Sequence, residues 1–104
     1  MNKIKTLIIC VALTLGINVS AQAKVTVGGY PACISENYFN QLLDAINDKD
    51  DYAINFLVSN TLCIVTKPDI PATVLSNSWG ISKVRAYISN KSIILWTNSE
   101  NIID

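Results

Sequence analysis

The 104-residue sequence contains no histidine, so it lacks the side chain that most often serves as a general base and as a metal ligand. A serine nucleophile would need another base, and no G-x-S-x-G or S-x-x-K motif accompanies any serine. Cysteine is scarce, with three residues and no C-x-x-C pair. The sequence therefore predicts a non-enzymatic protein without a cofactor or a metal.

One acidic cluster, Asp48, Asp50 and Asp51 with Asp44 one turn earlier, is the place where calcium could be expected. An EF-hand loop that started at Asp48 would need glycine at its sixth position, where Ala53 stands, and an oxygen ligand at its fifth, where a tyrosine stands. Helix capping and solvated carboxylates explain the cluster better.

The first residues have the three parts of a secretory signal peptide. Lys3 and Lys5 form a positive region, residues 7–17 form an apolar region, and residues 21–23 are an A-x-A cleavage site. An apolar run of 11 residues falls short of the ~20 that a membrane-spanning helix needs. We expect cleavage after residue 23 and a periplasmic or secreted product.

Removing 23 of the 104 residues leaves a single mature domain of 81, residues 24–104. Cys10 leaves with the signal, and the bulky Ile9 before it argues against lipid attachment, so we expect no stable membrane anchor. The mature part has six basic and eight acidic residues, a net charge of −2. A weakly acidic domain without a basic cluster is a poor candidate for binding nucleic acid or anionic lipid.

Cys33 and Cys63 are the two cysteines of the mature part, and an even number in an oxidising compartment indicates a disulfide. The bond would close a loop of 30 residues and stabilise the domain by roughly 3–4 kcal/mol in the chain-entropy model. A domain this small needs such a cross-link. Because the pair lacks C-x-x-C spacing, we expect a structural rather than a redox-active bond.

Helical spacing marks the first half of the mature domain, about residues 35–59. Ser35 is a good N-cap for a helix over 36–47, and Asp50 can cap a second helix. Residues 24–32, which precede them, either add an edge strand or stay loose. The predicted inner faces are Tyr38, Phe39, Leu42, Leu43 and Ile46 in the first helix, and Ala53, Phe56 and Leu57 in the second.

The second half, about residues 61–104, is rich in β-branched residues and punctuated by turn residues. It predicts strands near 62–66, 72–76, 81–88 and 92–97, followed by one helical turn. In the strand 81–88 a two-residue period places Lys83, Arg85 and Tyr87 on one face.

Residues 71–103 resemble the bacterial SH3-like domains found in many exported proteins. The segments that correspond are Thr73-Val74-Leu75, Ser78-Trp79-Gly80, Lys83-Val84-Arg85, Leu95-Trp96-Thr97 and Asn98 to Ile102. This resemblance implies a small, strongly bent barrel of about five strands with a binding or positioning role. The predicted fold class is α+β: an N-terminal helical hairpin joined by the disulfide to a small SH3-like antiparallel β-barrel.

The candidate binding residues are an aromatic and basic set from this second half. Planar aromatic side chains suit a shallow groove for a peptide or glycan because they bury area at little entropic cost. The alternative is that the two tryptophans belong to the core and the basic pair to an ordinary solvated face. The set comprises Trp79, Lys83, Arg85, Tyr87 and Trp96.

The first functional hypothesis is therefore an exported SH3-like binding module that recognises a protein segment or a cell-wall component such as peptidoglycan or another glycan. The second is a periplasmic inhibitor or immunity protein that blocks a cell-wall hydrolase or a toxin. A third, weaker hypothesis is a small hydrolase that uses unpaired carboxylates.

If the signal interpretation is correct, protein recovered from the periplasm or the medium begins at Lys24. Its mass is two hydrogens below that of the reduced chain, because Cys33 and Cys63 are joined. Intact-mass and amino-terminal analysis measure both quantities. A product that retains Met1, or one with two free thiols, would show this interpretation to be wrong.

Overall fold

The computed structural model describes residues 24–104. The predicted signal peptide, residues 1–23 with Cys10, lies outside the described residues. The described part contains strands, two α-helices and a short 3-10 helix. In chain order these are β1 Lys24–Thr26, β2 Pro31–Cys33, α1 Glu36–Asn47, α2 Asp51–Ser59, β3 Cys63–Val65, β4 Pro71–Ser78, β5 Ile81–Ile88, β6 Lys91–Asn98, the 3-10 helix Ser99–Asn101 and β7 Ile102–Ile103.

Both helices begin at the N-caps that the sequence predicts. The Ser35 side chain accepts a hydrogen bond from the Tyr38 backbone N–H at 3.0 Å, and the Asp50 carboxylate accepts one from Ala53 N–H at 3.1 Å. These bonds satisfy N–H groups that have no partner within a helix. The carboxylate of Asp50 is therefore a capping group.

The strands form one antiparallel sheet of seven strands in the order β3-β2-β6-β5-β4-β1-β7. β3 and β7 lie at its two edges and do not pair with each other, so the sheet is not closed. The prediction of a small closed barrel is wrong. The sheet stays open because the segment 24–33 adds strands to it. β1 joins β4 and β7, and β2 inserts between β3 and β6, so the sheet is extended at both ends.

The prediction of an N-terminal helical hairpin is wrong for the same reason, because both helices follow β1 and β2 in the chain. A lead-in that was expected to be loose or to add one edge strand supplies two strands. Gly28 makes this path possible: it has a φ of 92°, and a Cβ there would lie 2.6 Å from the Pro68 backbone nitrogen. Only glycine combines this conformation with this approach.

The two faces of the sheet carry separate apolar clusters. The inner face, defined by Ala32, Ala72, Val84, Ala86 and Leu95, is buried by the curl of the sheet itself. Ile64 of the edge strand β3 and Ile102 of the opposite edge strand β7 both pack against this cluster. Two edges can reach one cluster only if the sheet between them is strongly curled.

The outer face is covered by the helices near β2 and β3. Phe39, Leu42 and Leu57 are buried there against the disulfide. Two predicted inner-face residues, Ile46 and Phe56, are instead about half exposed. The last turn of α1 buries Ala45 rather than Ile46. The nine-residue helix α2 buries only Leu57 fully. The buried face of each helix is therefore narrower than the spacing of its apolar residues predicts.

The disulfide joins Cys33 of β2 to Cys63 of β3, as predicted. The two residues face each other in the ladder with their Cα atoms 4.0 Å apart, and both are buried. The bond therefore cross-links neighbouring strands at the base of the segment that contains both helices.

A buried amide connects the two edges of the curled sheet. Asn101 Nδ2 donates to the hydroxyls of Thr66, at 3.0 Å, and Thr97, at 3.1 Å, and its Oδ1 accepts from Gly28 N–H at 3.0 Å. The two threonine hydroxyls donate onward to the carbonyls of Tyr30 and Pro31. Every member of this network has a partner, which is the condition for a buried polar group to stabilise a fold.

We expect Asn101→Ala to lower the free energy of unfolding by about 2–4 kcal/mol, because it leaves several buried polar groups without partners. Asn55→Ala is the matched control: Asn55 is exposed on α2, and its replacement should change stability by no more than ~0.5 kcal/mol. Urea unfolding monitored by circular dichroism gives both values. Equal effects of the two substitutions would contradict this role of Asn101.

Candidate functional site

The outer face of β5 and β6 brings together four of the five predicted site residues. Lys83, Arg85 and Tyr87 alternate with buried residues along β5, so the two-residue period correctly predicts their common face. Trp96 of β6 lies directly opposite Lys83 in the ladder. We call this set, with Trp79 at its end, the cationic face.

Trp96 is half-buried and held on both sides. It packs against the apolar cluster beneath the helices, and the Lys83 Nζ atom lies 5.4 Å from its ring centroid. An ammonium group at this distance is attracted by the ring and loses freedom of movement. Trp96 thus combines a structural role with a position that orients Lys83.

Trp79 has a different environment, since its side chain is 98% exposed. It occupies the two-residue turn between β4 and β5, where Trp79 has a φ of 54° and Gly80 a φ of 79°. Positive φ at both positions is the type I′ pattern, which favours Asn-Gly and disfavours bulky residues. The left-handed conformation costs roughly 1–2 kcal/mol for a residue with a Cβ. The fold therefore gains nothing visible from this tryptophan.

The turn between β5 and β6 offers a comparison within the same sheet. Ser89 and Asn90 have φ values of 51° and 66°, and both are small polar residues. Among the non-glycine residues with positive φ in the described part, Trp79 is the only aromatic one. Two hairpins of similar turn geometry thus differ in that one displays a large apolar ring.

Arg85 and Tyr87 continue the face away from the turn. Arg85 lies opposite Thr73 of β4 and Ile94 of β6 and is partly buried. The Tyr87 hydroxyl lies 3.1 Å from the Thr73 hydroxyl, a hydrogen bond that fixes the ring. Within residues 24–104 there is a single ion pair, between Lys24 and Asp104, so neither cation of β5 has a carboxylate partner there.

A cleft of about 180 Å³ lies at the turn end of the cationic face. Lys83 and Trp96 line it, as do three polar residues that the sequence did not single out: Glu36, Ser76 and Ser78. Ser78 immediately precedes Trp79, whose exposed side chain is not among the lining residues of the cleft. The cleft offers hydroxyls, a carboxylate, an ammonium and an aromatic edge.

A β-bulge explains why the two serines were missed. The ladder pairs Val74 with Val84 and then Ser76 with Lys83, so Leu75 is the extra residue on β4. Before the bulge Thr73 lies on the outer face, and a strict two-residue period would put Ser76 on the inner face. The bulge reverses that alternation and turns Ser76 and Ser78 outward.

The acidic residues between the helices form no ligand set. Asp44, Asp48, Asp50 and Asp51 are all exposed. Within residues 24–104 no group of three or more cysteine, aspartate or glutamate side chains is arranged to hold a metal ion.

No protein-family model, curated protein or solved structure matches this chain. The resemblance to bacterial SH3-like domains thus stays a prediction from the motifs of residues 71–103. Neither of the two helices in the described residues has the length and apolarity to cross a membrane.

Replacing the two tryptophans should affect the free energy of unfolding differently. Trp79→Asn places a residue suited to the turn and should leave the free energy of unfolding unchanged or raise it by about 0.5–1 kcal/mol. Trp96→Ala removes a packed ring and should lower it by about 2–3 kcal/mol. Urea unfolding measures both. A clear loss of stability in Trp79→Asn would show that the indole supports the fold.

Proposed function

We propose that this protein is an exported, non-enzymatic binding module that recognises a protein segment or a cell-wall component through its cationic face. The observation that carries the proposal is Trp79, an almost completely exposed indole in a turn conformation that disfavours it. A residue that destabilises the fold and whose side chain is not buried within the domain is explained by a contact with another molecule.

The composition of the face supports this proposal. Tryptophan, tyrosine and arginine are the residues in which the binding energy of protein interfaces is concentrated. Trp79, Arg85 and Tyr87 supply one of each, along 9 residues of continuous chain. The hydrogen bond of Tyr87 and the packing of Trp96 restrict these rings before any ligand arrives, which lowers the entropic cost of binding.

The proposal that no reaction is catalysed rests on side-chain chemistry. The sequence has no histidine, and both mature cysteines are joined in a buried disulfide. Near the cationic face, Glu36 is the one carboxylate that lines the cleft, whereas hydrolysis of a glycoside by the common route uses a pair of carboxylates.

A second candidate is an inhibitor of a cell-wall hydrolase or of a toxin. The position of Trp79 favours it, because a ring at the end of a tight hairpin can enter a concave site in a partner. An inhibitor would form a stable complex of fixed stoichiometry with one protein, whereas a wall-binding module would sediment with the wall polymer.

The experiment uses purified mature protein and its Trp79→Asn variant. We expect the wild type to sediment with purified peptidoglycan sacculi, or to retain one stoichiometric partner from periplasmic extract, and the variant to bind at least tenfold more weakly. Tyr52→Ala, which removes an exposed aromatic ring on α2, should bind as the wild type does. Equal binding by all three proteins would exclude the cationic face.

A further inference from the structure

We infer that the ligand of the cationic face is an acidic protein segment in extended conformation, with carboxylates at alternate positions. This inference rests on the proposed function, because it names the partner of the same face. Three properties of Lys83 and Arg85 support it: their charge, their spacing along β5 and the limited mobility of their side chains.

Charge favours an acidic ligand. Lys83 and Arg85 have no ion-pair partner among residues 24–104, although the mature chain has more acidic than basic residues. Four of its eight acidic residues lie within residues 44–51, at the end of α1 and the start of α2, and Glu36 is the one carboxylate that lines the cleft beside Lys83. The face therefore remains positive on a domain of net charge −2.

Spacing favours an extended ligand. Lys83 and Arg85 are two residues apart on one strand, which separates them by about 6.6–6.8 Å along the strand axis. Alternate side chains of an extended peptide have the same repeat. Neighbours on one face of a helical ligand lie three or four residues apart with Cβ atoms about 5–6 Å apart, which fits the two cations less well.

Both cations are held before binding. Lys83 lies over Trp96, and Arg85 is partly buried between Thr73 and Ile94. Partly buried, restricted cations lose less entropy on pairing and are screened less by salt than freely exposed ones. A neutral glycan offers hydroxyls but no countercharge to this pair, so the charges favour an acidic protein segment over a neutral glycan.

The test compares two acidic capped heptapeptides of identical composition, and a lysine version of one of them, by tryptophan fluorescence at about 10 mM ionic strength, where charge pairs are weakly screened. Gly-Thr-Glu-Thr-Glu-Thr-Gly has alternate carboxylates, and Gly-Thr-Thr-Glu-Glu-Thr-Gly has adjacent ones. We expect the alternating peptide to bind at least about threefold more tightly, and its version with lysine for glutamate not to bind. Equal binding of the three peptides would overturn the inference.

Variants locate the contacts. Lys83→Gln and Arg85→Gln should each weaken binding of the alternating peptide about two- to fivefold. Glu36→Gln should strengthen it up to about twofold, because it removes the carboxylate that lines the cleft. Lys67→Gln is the matched control: Lys67 is exposed in the loop between β3 and β4, does not line the cleft, and its substitution should change nothing. A loss of binding in Lys67→Gln equal to that in Arg85→Gln would contradict the inference.

The two proposals fail in different ways. If sacculi bind the wild type and not Trp79→Asn, while neither acidic peptide binds, the inference of an acidic segment is wrong and the proposed function stands. If Trp79→Asn binds sacculi as well as the wild type does, the proposed role of Trp79 is wrong. If Lys83→Gln and Arg85→Gln also bind the alternating peptide as well as the wild type does, the inference is wrong too.

Discussion

The hydrogen bonds of Asn101 are the constraint on which the rest of this structure depends. A seven-stranded sheet in a domain of this size can bury its inner face only by curling over it, and curling brings β3 and β7 together without pairing them. The amide of Asn101 fills that gap, since it reaches the end of β3 through Thr66 and the β1–β2 loop through Gly28. This connection joins the two edges of the sheet beside the small inner core.

The cationic face depends on the same curl and on one irregularity. The bulge at Leu75 turns two serines toward Lys83 and Trp96, and the turn that follows leaves Trp79 almost completely exposed. The turn costs roughly 1–2 kcal/mol, whereas the Cys33–Cys63 bond contributes roughly 3–4 kcal/mol in the chain-entropy model. The cross-link thus leaves a margin of stability in which an unfavourable turn residue can persist.

Local signals in the sequence predict local structure well. The helix over 36–47 has its predicted bounds, and the alternation along β5 correctly groups Lys83, Arg85 and Tyr87. The closed barrel and the N-terminal helical hairpin are wrong because β2 has only three residues and pairs with strands about 30 and 60 residues later. No local pattern encodes such pairing. The bulge at Leu75 was missed because amino-acid composition does not indicate an extra residue in a strand. Trp79 could not be assigned to the surface or the core because tryptophan occurs in both.

The pairing of β1 has a consequence for the order in which the chain can fold. Val25 pairs with Ile103, so one of the first ladder contacts of the domain in sequence is made with almost its last residue. A chain that emerges from a ribosome amino terminus first can pair β2 with β3 and β1 with β4 early, but the pairing of β2 with β6 and of β1 with β7 must wait for residues 96–103. Contacts of such long sequence separation are slow to form. The topology therefore delays completion of the sheet until β6 and β7 have been synthesised.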